Sequence, residues 1–173
     1  TLKGANFGVK VYASSEPRID FAGREAKDCE ILGDDKIVCI VPDGVGPFVP
    51  VTVRIGNLVS VPKKSLFSYS APFVTEVSSQ HAAEGTELTV RGGNFGMSEK
   101  DAAGATIDLG ETRCLKTTWH DSETMTCEVP PGVGASRKVV VTVGRQSSNA
   151  DDENSASTSS VMPGLDASPA SGS

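Results

Sequence analysis

Apolar and polar residues alternate along several short stretches of this chain, most clearly at residues 51–55, 88–90 and 139–143. Alternation with a period of two predicts strands that bury one face. Clusters of Gly, Pro, Asn and Asp interrupt these stretches about every ten residues, which is the strand spacing of a β-sandwich. Patterns with a helical period are nearly absent. The sequence therefore predicts an all-β protein.

The same pattern is present twice, with an offset of 88 residues between the copies. Residues 4–8 read Gly-Ala-Asn-Phe-Gly, and residues 92–96 read Gly-Gly-Asn-Phe-Gly. Residues 41–46 read Val-Pro-Asp-Gly-Val-Gly, and residues 129–134 read Val-Pro-Pro-Gly-Val-Gly. Two cysteines lie between these motifs in each copy, and an alternating valine-rich strand follows them. This order indicates a tandem repeat of two small sandwich domains.

The repeat places the first domain at residues 1–71 and the second at residues 72–148. Residues 149–173 are rich in Ser, Ala and Pro, a composition typical of a disordered tail or linker. The connection between the domains, residues 70–72, has no Gly/Ser-rich spacer. We therefore expect the two domains to have a restricted relative orientation.

The two copies differ at their ends. The second copy opens with an apolar strand at residues 72–77 that has no counterpart in the first copy. The first copy closes with Phe67-x-Tyr69, whereas the matching place in the second copy is acidic and rich in serine. We expect the first domain to lack its opening strand and to be the less stable one. A chain with both ends inside a repeat is expected to be part of a longer array.

The cysteines fit one disulfide in each domain. With a three-residue hairpin loop at residues 33–35, Cys29 lies directly opposite Cys39. A two-residue loop at His120 and Asp121 places Cys114 opposite Cys127 in the same way. Opposed residues on antiparallel strands have Cα atoms about 4.5–5.5 Å apart, within the span of a disulfide. Of the three pairings that four cysteines allow, we expect Cys29 with Cys39 and Cys114 with Cys127.

A zinc site is disfavoured because neither copy contains Cys-x-x-Cys and the chain has only two histidines. Paired cysteines instead favour an oxidising compartment, since a small sandwich domain buries only about 60% of its unfolded surface and is commonly stabilised by disulfides. We therefore predict an extracellular or cell-surface location. No signal peptide opens the chain, so we expect a processed product or a fragment of a longer protein.

The formal net charge of −6 disfavours nucleic acid and anionic membranes as partners, because both attract basic surfaces. No stretch approaches the run of about 20 apolar residues that crosses a bilayer. We predict no direct contact with a membrane.

Few residues are candidates for chemistry. The triad residue types of His120, Asp121 and Ser122 are consecutive at a predicted hairpin tip, where side chains point apart, so we predict no catalytic site. His81 is expected to be a solvated loop residue. The acidic clusters, such as residues 34–35, lack the ligand spacing of a calcium site. We expect no metal site and no cofactor.

Trp119 is the only tryptophan and lies beside the second predicted hairpin tip. Two interpretations remain open for it. The ring packs on the nearby disulfide, or it is an exposed contact for a partner or a sugar ring.

The order Gly-x-Asn-Phe-Gly, two cysteines, Pro-x-Gly-x-Gly, valine strand and Phe-x-Tyr resembles the IPT/TIG domain over residues 1–148. The resemblance implies an immunoglobulin-like β-sandwich in each copy. Domains of this family occur in plexins and other surface receptors, in microbial surface proteins, in some polysaccharide-acting enzymes and in Rel-type transcription factors. The missing opening strand and the missing second Phe-x-Tyr depart from the family pattern.

We expect a non-enzymatic pair of extracellular modules that serves as a structural spacer and as a protein-recognition or adhesion surface of a larger protein. The expected partner is a protein or a neighbouring IPT/TIG repeat of the same parent chain. One alternative is a carbohydrate-binding accessory module of a polysaccharide-processing protein, although one Trp and two Tyr supply few aromatic platforms. A transcription-factor dimerisation module is a third hypothesis, which the acidity and the paired cysteines disfavour.

Overall fold

The computed structural model describes residues 1–8, 16–79, 82–132 and 137–148. These residues form two successive β-sandwiches, which we call module 1 (residues 1–71) and module 2 (residues 72–148). All regular secondary structure in the described residues is β, as predicted. The described residues contain no helix that is long and apolar enough to cross a lipid bilayer. The predicted tail at residues 149–173 and His81 lie outside the described residues.

The strands of module 1 form two antiparallel sheets. Its strands are β1 (Leu2–Lys3), β2 (Arg18–Phe21), β3 (Arg24–Glu25), β4 (Lys27–Gly33), β5 (Lys36–Ile40), β6 (Val49–Ile55), β7 (Leu58–Val59) and β8 (Lys63–Phe67). One sheet has the order β1-β5-β4, and the other has the order β3-β2-β6-β7, with β8 also paired to β6.

Module 2 also forms two antiparallel sheets. Its strands are β9 (Phe73–Val77), β10 (Glu87–Gly93), β11 (Thr106–Leu109), β12 (Thr112–Arg113), β13 (Lys116–Trp119), β14 (Thr124–Glu128), β15 (Val139–Val143) and β16 (Gln146–Ser147). The sheet orders are β13-β14-β10-β9 and β12-β11-β15-β16.

The alternating residues of the strands point into the space between the sheets and form one core in each module. The buried apolar residues of module 1 are Ile19, Phe21, Ile31, Ile37, Val49 and Val51. Those of module 2 are Leu88, Val90, Phe95, Ile107, Leu109, Cys114, Met125, Cys127, Val129, Val141 and Val143. Within the described residues, module 2 therefore buries the larger apolar core.

The Gly-x-Asn-Phe-Gly motif forms the same irregular turn in both modules. Asn6 and Asn94 have φ values of 64° and 61°, in the left-handed region that asparagine tolerates. The N–H of Phe95 donates to the carbonyl of Ser122 at 3.0 Å, and Phe95 is fully buried. Phe7, at the matching place, is half-buried against the core of module 1. In both modules the motif thus places a phenylalanine against the core.

In module 1, Cys29 and Cys39 form a disulfide with their Cα atoms 4.2 Å apart. On one side of the disulfide, Glu30 pairs with Val38 and Ile31 with Ile37 in the predicted register, whereas on the other side the register shifts between Lys27 and Glu30. The predicted three-residue loop is wrong, because Gly33 pairs with Lys36 and leaves a two-residue loop. A β-bulge between Ile31 and Gly33 absorbs the extra residue.

In module 2, Cys114 and Cys127 form a disulfide with Cα atoms 5.6 Å apart, but the predicted register is wrong. Cys127 lies opposite Thr117 on β13, not opposite Cys114. Cys114 instead lies between β12 and β13, where the chain passes from one sheet to the other. This disulfide therefore ties the crossing between the sheets to β14.

A longer hairpin loop causes this difference. β13 ends at Trp119 and β14 begins at Thr124, so residues 120–123 form a four-residue loop in place of the predicted two-residue loop. Trp119 consequently pairs with Met125 and not with Ser122. The carboxylate of Asp121 accepts a hydrogen bond from the N–H of Glu123 at 2.8 Å, which stabilises the wider turn.

The first strand of module 1 has fewer partners than its counterpart in module 2. β10 lies between β14 and β9, whereas β1 is an edge strand that pairs only with β5 in the described part of the chain. Leu2 is half-buried at the place where module 2 has the fully buried Val90. An edge strand with fewer hydrogen bonds and less burial opens more readily.

We expect amide hydrogen exchange at residues 1–8 to be at least about tenfold faster than at residues 88–95, since β1 is held on one side only. Exchange measured on the oxidised protein by mass spectrometry tests this expectation. Equal protection of the two segments would contradict it.

Candidate functional site at the module junction

The two modules contact each other through loops of module 1 and a loop and hairpin of module 2. We call these contacts the junction. Its residues are Arg24, Val45, Gly46 and Tyr69 in module 1 and Asp101, Gly144 and Gln146 in module 2. The junction thus combines an ion pair, an apolar contact, a backbone contact and a hydrogen bond to the linker.

The ion pair joins Arg24, on β3, to Asp101, which follows the Gly-Asn-Phe-Gly turn of module 2. The side chain of Asp101 is 3% exposed and that of Arg24 is 35% exposed. Arg24 also donates from Nη1 to the carbonyl of Asp43 at 2.6 Å, which orients the guanidinium towards module 2. Loss of Arg24 would leave the buried carboxylate of Asp101 without its counterion.

Burial opposes ionisation of Asp101, but the hydrogen bonds to this carboxylate are stronger in their effect. Arg24, the Ser98 hydroxyl at 3.0 Å and the N–H of Met97 at 3.3 Å donate to it and hold the pKa of Asp101 below its usual range. The stability that follows from this lowered pKa is complete above the usual Asp pKa of about 3.9. It is lost as the pH falls further, through the lowered pKa.

Val45 and Gly46 bring the two backbones into contact. Val45 is half-buried and packs against the core of module 2. A Cβ atom added to Gly144 would lie 2.9 Å from the amide nitrogen of Gly46 and 2.9 Å from Cγ2 of Val45. Gly144 also has a φ of 57°, so a side chain there is disfavoured both by strain and by space.

Two side chains of module 2 hold the linker between the modules. Gln146 donates from Nε2 to the carbonyl of Tyr69 at 2.9 Å. Asn94 donates from Nδ2 to the carbonyl of Ala71 at 2.9 Å. Pro72, which follows, is buried. The short linker is therefore hydrogen-bonded to module 2 on both sides of Ser70.

The Phe-x-Tyr motif of module 1 positions the loop that carries Val45. The Tyr69 hydroxyl donates to the carbonyl of Pro42 at 2.8 Å, and its N–H donates to the carbonyl of Gly46 at 3.0 Å. A Cβ atom on Gly44 would lie 2.5 Å from the Tyr69 ring. The glycines of the Pro-x-Gly-Val-Gly motif thus let this loop lie flat on Tyr69 while Val45 reaches module 2.

Sequence reasoning missed Arg24 and Asp101. By the offset of 88, Thr112 occupies the place of Arg24 in the second copy, and Ala13 occupies the place of Asp101 in the first. Arg24 and Asp101 carry opposite charges, and each is replaced by an uncharged residue in the other copy. That difference is the signal that could have identified them, because a contact between the copies requires residues that the copies do not share.

The structure places Trp119 half-buried on the edge strand β13, packed against the core of module 2. Its Nε1 is buried and has no hydrogen-bond partner within the described residues. The core against which the ring packs includes both cysteines of the disulfide, Cys114 and Cys127. A contact between Trp119 and a partner stays a prediction.

The other candidate residues that the structure describes lie in module 2 and in surface loops. His120 is exposed, and its Nε2 lies 3.1 Å from the hydroxyl of Thr126, not near Ser122. The described residues contain no group of three or more His, Cys, Asp or Glu side chains that could hold a metal ion. A depression lined by Leu109 and Arg137 encloses about 100 Å³, below the roughly 300 Å³ of a small-molecule pocket.

We expect Trp119→Phe to lower the free energy of unfolding by less than about 1 kcal/mol, since it removes a buried donor that has no acceptor. Trp119→Ala also removes packing and should cost about 3 kcal/mol. Urea unfolding followed by circular dichroism measures both. Equal losses would mean that Nε1 makes a hydrogen bond that stabilises the fold.

Solved structures that this chain resembles include three with low sequence identity. A surface glycan-binding protein from Prevotella bryantii is 22% identical with a TM-score of 0.57, over 86% of this chain and 34% of that chain. A crystal structure with xylogluco-oligosaccharide is 14% identical with a TM-score of 0.48, over 75% of this chain and 33% of that one. SGBP-B from a complex xyloglucan utilization locus in Bacteroides uniformis is 17% identical with a TM-score of 0.38, over 84% and 41%.

This chain therefore spans about a third of the length of the first two structures. No curated protein matches its sequence. The family model of the IPT/TIG domain matches residues 1–70 and again residues 72–158, so both modules are covered. Together with the two immunoglobulin-like sandwiches, this match shows that the chain belongs to the IPT/TIG domain family.

Proposed function

We propose that this chain is a non-enzymatic extracellular spacer that holds two IPT/TIG modules in one fixed orientation and presents their outer strands and loops for protein recognition or adhesion. The observation that carries the proposal is the junction. A freely jointed pair needs no ion pair between its modules, whereas Arg24 pairs across the junction with the carboxylate of Asp101, whose side chain is 3% exposed.

The disulfides support the extracellular part of the proposal. Each module contains one, and free cysteines are absent from the described residues. Such pairs persist in oxidising compartments and are rare in the cytosol. The same pairs argue against an intracellular dimerisation module.

The combined variant Arg24→Gln and Val45→Ser tests the spacer. It removes the ion pair and the apolar contact, so we expect a larger maximum dimension and a broader distance distribution in small-angle X-ray scattering. The loss of stability should be about 2 kcal/mol, less than for a fully buried pair because Arg24 is partly exposed.

The matched control is Arg18→Gln with Val59→Ser. Arg18 pairs with Glu25 on the surface of module 1, and Val59 is 49% exposed, so neither lies in the junction. The control should scatter like the unchanged chain. A flexible profile for the unchanged chain itself would contradict the spacer.

Glycan binding is a second candidate function. It is supported by the likeness to the Prevotella bryantii structure, which is a surface glycan-binding protein. Exposed aromatic rings can stack on sugars, and Phe48 is 66% exposed, with a positive φ of 53°. The strained backbone at Phe48 turns an aromatic side chain outward in place of burying it.

A glycan array probed with the oxidised chain tests this candidate. Binding that Phe48→Ala or Trp119→Phe abolishes, while circular dichroism shows an unchanged fold, would favour a sugar contact at that ring. If the chain binds none of the glycans on the array, the glycan-binding candidate is wrong.

A further inference from the structure

Module 1 packs against a hairpin of module 2, and module 1 contains an equivalent hairpin of its own. In module 2 the hairpin of β15 and β16 holds Gly144 and Gln146, which contact module 1. In module 1 the hairpin of β6 and β7 matches it at the offset of 88. Gly56 occupies the place of Gly144, and Leu58 occupies the place of Gln146.

The two hairpins have the same local geometry. Gly56 and Gly144 both have a φ of 57°. The N–H of Ser60 donates to the carbonyl of Val53 at 2.8 Å, and the N–H of Val53 donates to the Ser60 hydroxyl at 2.9 Å. Ser148 makes the same two bonds in module 2, at 2.7 and 2.8 Å. The backbone conformation of the hairpin that contacts module 1 is therefore also present in module 1 itself.

The hairpins differ in what covers them. In module 2, Gln146 and Ser147, the counterparts of Leu58 and Val59, are half-buried. On module 1, Leu58 is 77% exposed, Val59 is 49% exposed and Val61 is 84% exposed. Three neighbouring apolar side chains in water at a site that is an interface in the other copy indicate an interface here too.

The chemistry of the two hairpins differs as well. Gln146 donates a hydrogen bond to a backbone carbonyl of module 1, and Asp101 accepts one from Arg24. Leu58 has no hydrogen-bonding side chain, and the sequence has alanine at residue 13, the place that corresponds to Asp101. A partner at this hairpin therefore meets the apolar side chain of Leu58 in place of the hydrogen-bonding side chain of Gln146.

We propose that the hairpin of residues 55–60 docks a further IPT/TIG module, which packs an apolar Gly-Val-Gly loop on Leu58 as Val45 packs on module 2. The proposal rests on the spacer function and extends it, because head-to-tail contacts of one kind continue into a linear array. The junction between modules 1 and 2 shows how such a loop seats on such a hairpin.

The test is an extended chain in which a second copy of residues 1–88 precedes the full chain. This addition preserves the offset of 88, since Leu88 precedes Thr89, the counterpart of Thr1. The added copy presents its own Val45 to the hairpin of the following module 1. A control chain preceded only by residues 72–88 supplies an opening strand without a module.

Hydrogen exchange of the peptide spanning residues 53–60 is the readout. The added copy and the following copy have this peptide in common, so the two copies contribute equally to its signal. Docking therefore predicts two isotope envelopes of equal intensity. The envelope of the following copy should exchange at least about tenfold more slowly than the same peptide in the full chain alone. Leu58→Lys in the following copy should abolish the slow envelope. Leu66→Lys, a control on β8 at a residue that is 61% exposed, should leave it unchanged.

A single fast envelope would overturn the proposal and leave the hairpin to another partner or to none. A slow envelope in the control chain would also overturn it, because the opening strand alone would then explain the protection. The peptide spanning residues 141–148 reports the existing junction in the same sample, so failure of the spacer is seen separately. If the added copy does not fold, a cyclic peptide of residues 41–48 at millimolar concentration replaces it, and absence of protection that depends on Leu58 counts against docking.

Discussion

The close approach of two backbones at Gly46 and Gly144 is the constraint on which the arrangement of the modules depends. A Cβ atom would lie 2.9 Å from its nearest neighbour at Gly144 and 3.0 Å at Gly46, so glycine at both positions lets the loop of module 1 and the hairpin of module 2 come near enough for Val45 to reach the second core. The same approach brings Arg24 to Asp101 and shields that carboxylate from water. The ion pair then favours the docked arrangement at any pH above the range in which Asp101 gains a proton.

The folds of the two modules are stabilised in different ways. Module 2 has the larger buried core in the described residues, and its disulfide ties the crossing between its sheets to β14. Module 1 has a smaller core and a disulfide between two neighbouring strands. The junction adds contacts on the side of module 1 that carries Tyr69 and Val45. Docking and the stability of module 1 are therefore coupled, as is general for neighbouring repeats.

The repeat made the fold predictable from the sequence, since Gly, Asn and Pro recur where the backbone needs them, and alternating valines recur where strands pair. The cysteine pairs followed from strand proximity, but the exact registers did not. The bulge before Gly33 and the four-residue loop stabilised by Asp121 depend on local hydrogen bonds that counting cannot detect. The junction could not be predicted from the sequence, for a different reason. Arg24 and Asp101 are far apart in sequence and absent from the repeated motifs, so only the docked structure pairs them.

Residual dipolar couplings of the backbone amides test the central claim most directly, because they report the orientation of each module in one alignment frame. The account predicts that couplings from modules 1 and 2 fit a single alignment tensor with the orientation that the junction defines. Two tensors of clearly different magnitude would show that the modules move independently and would contradict the account.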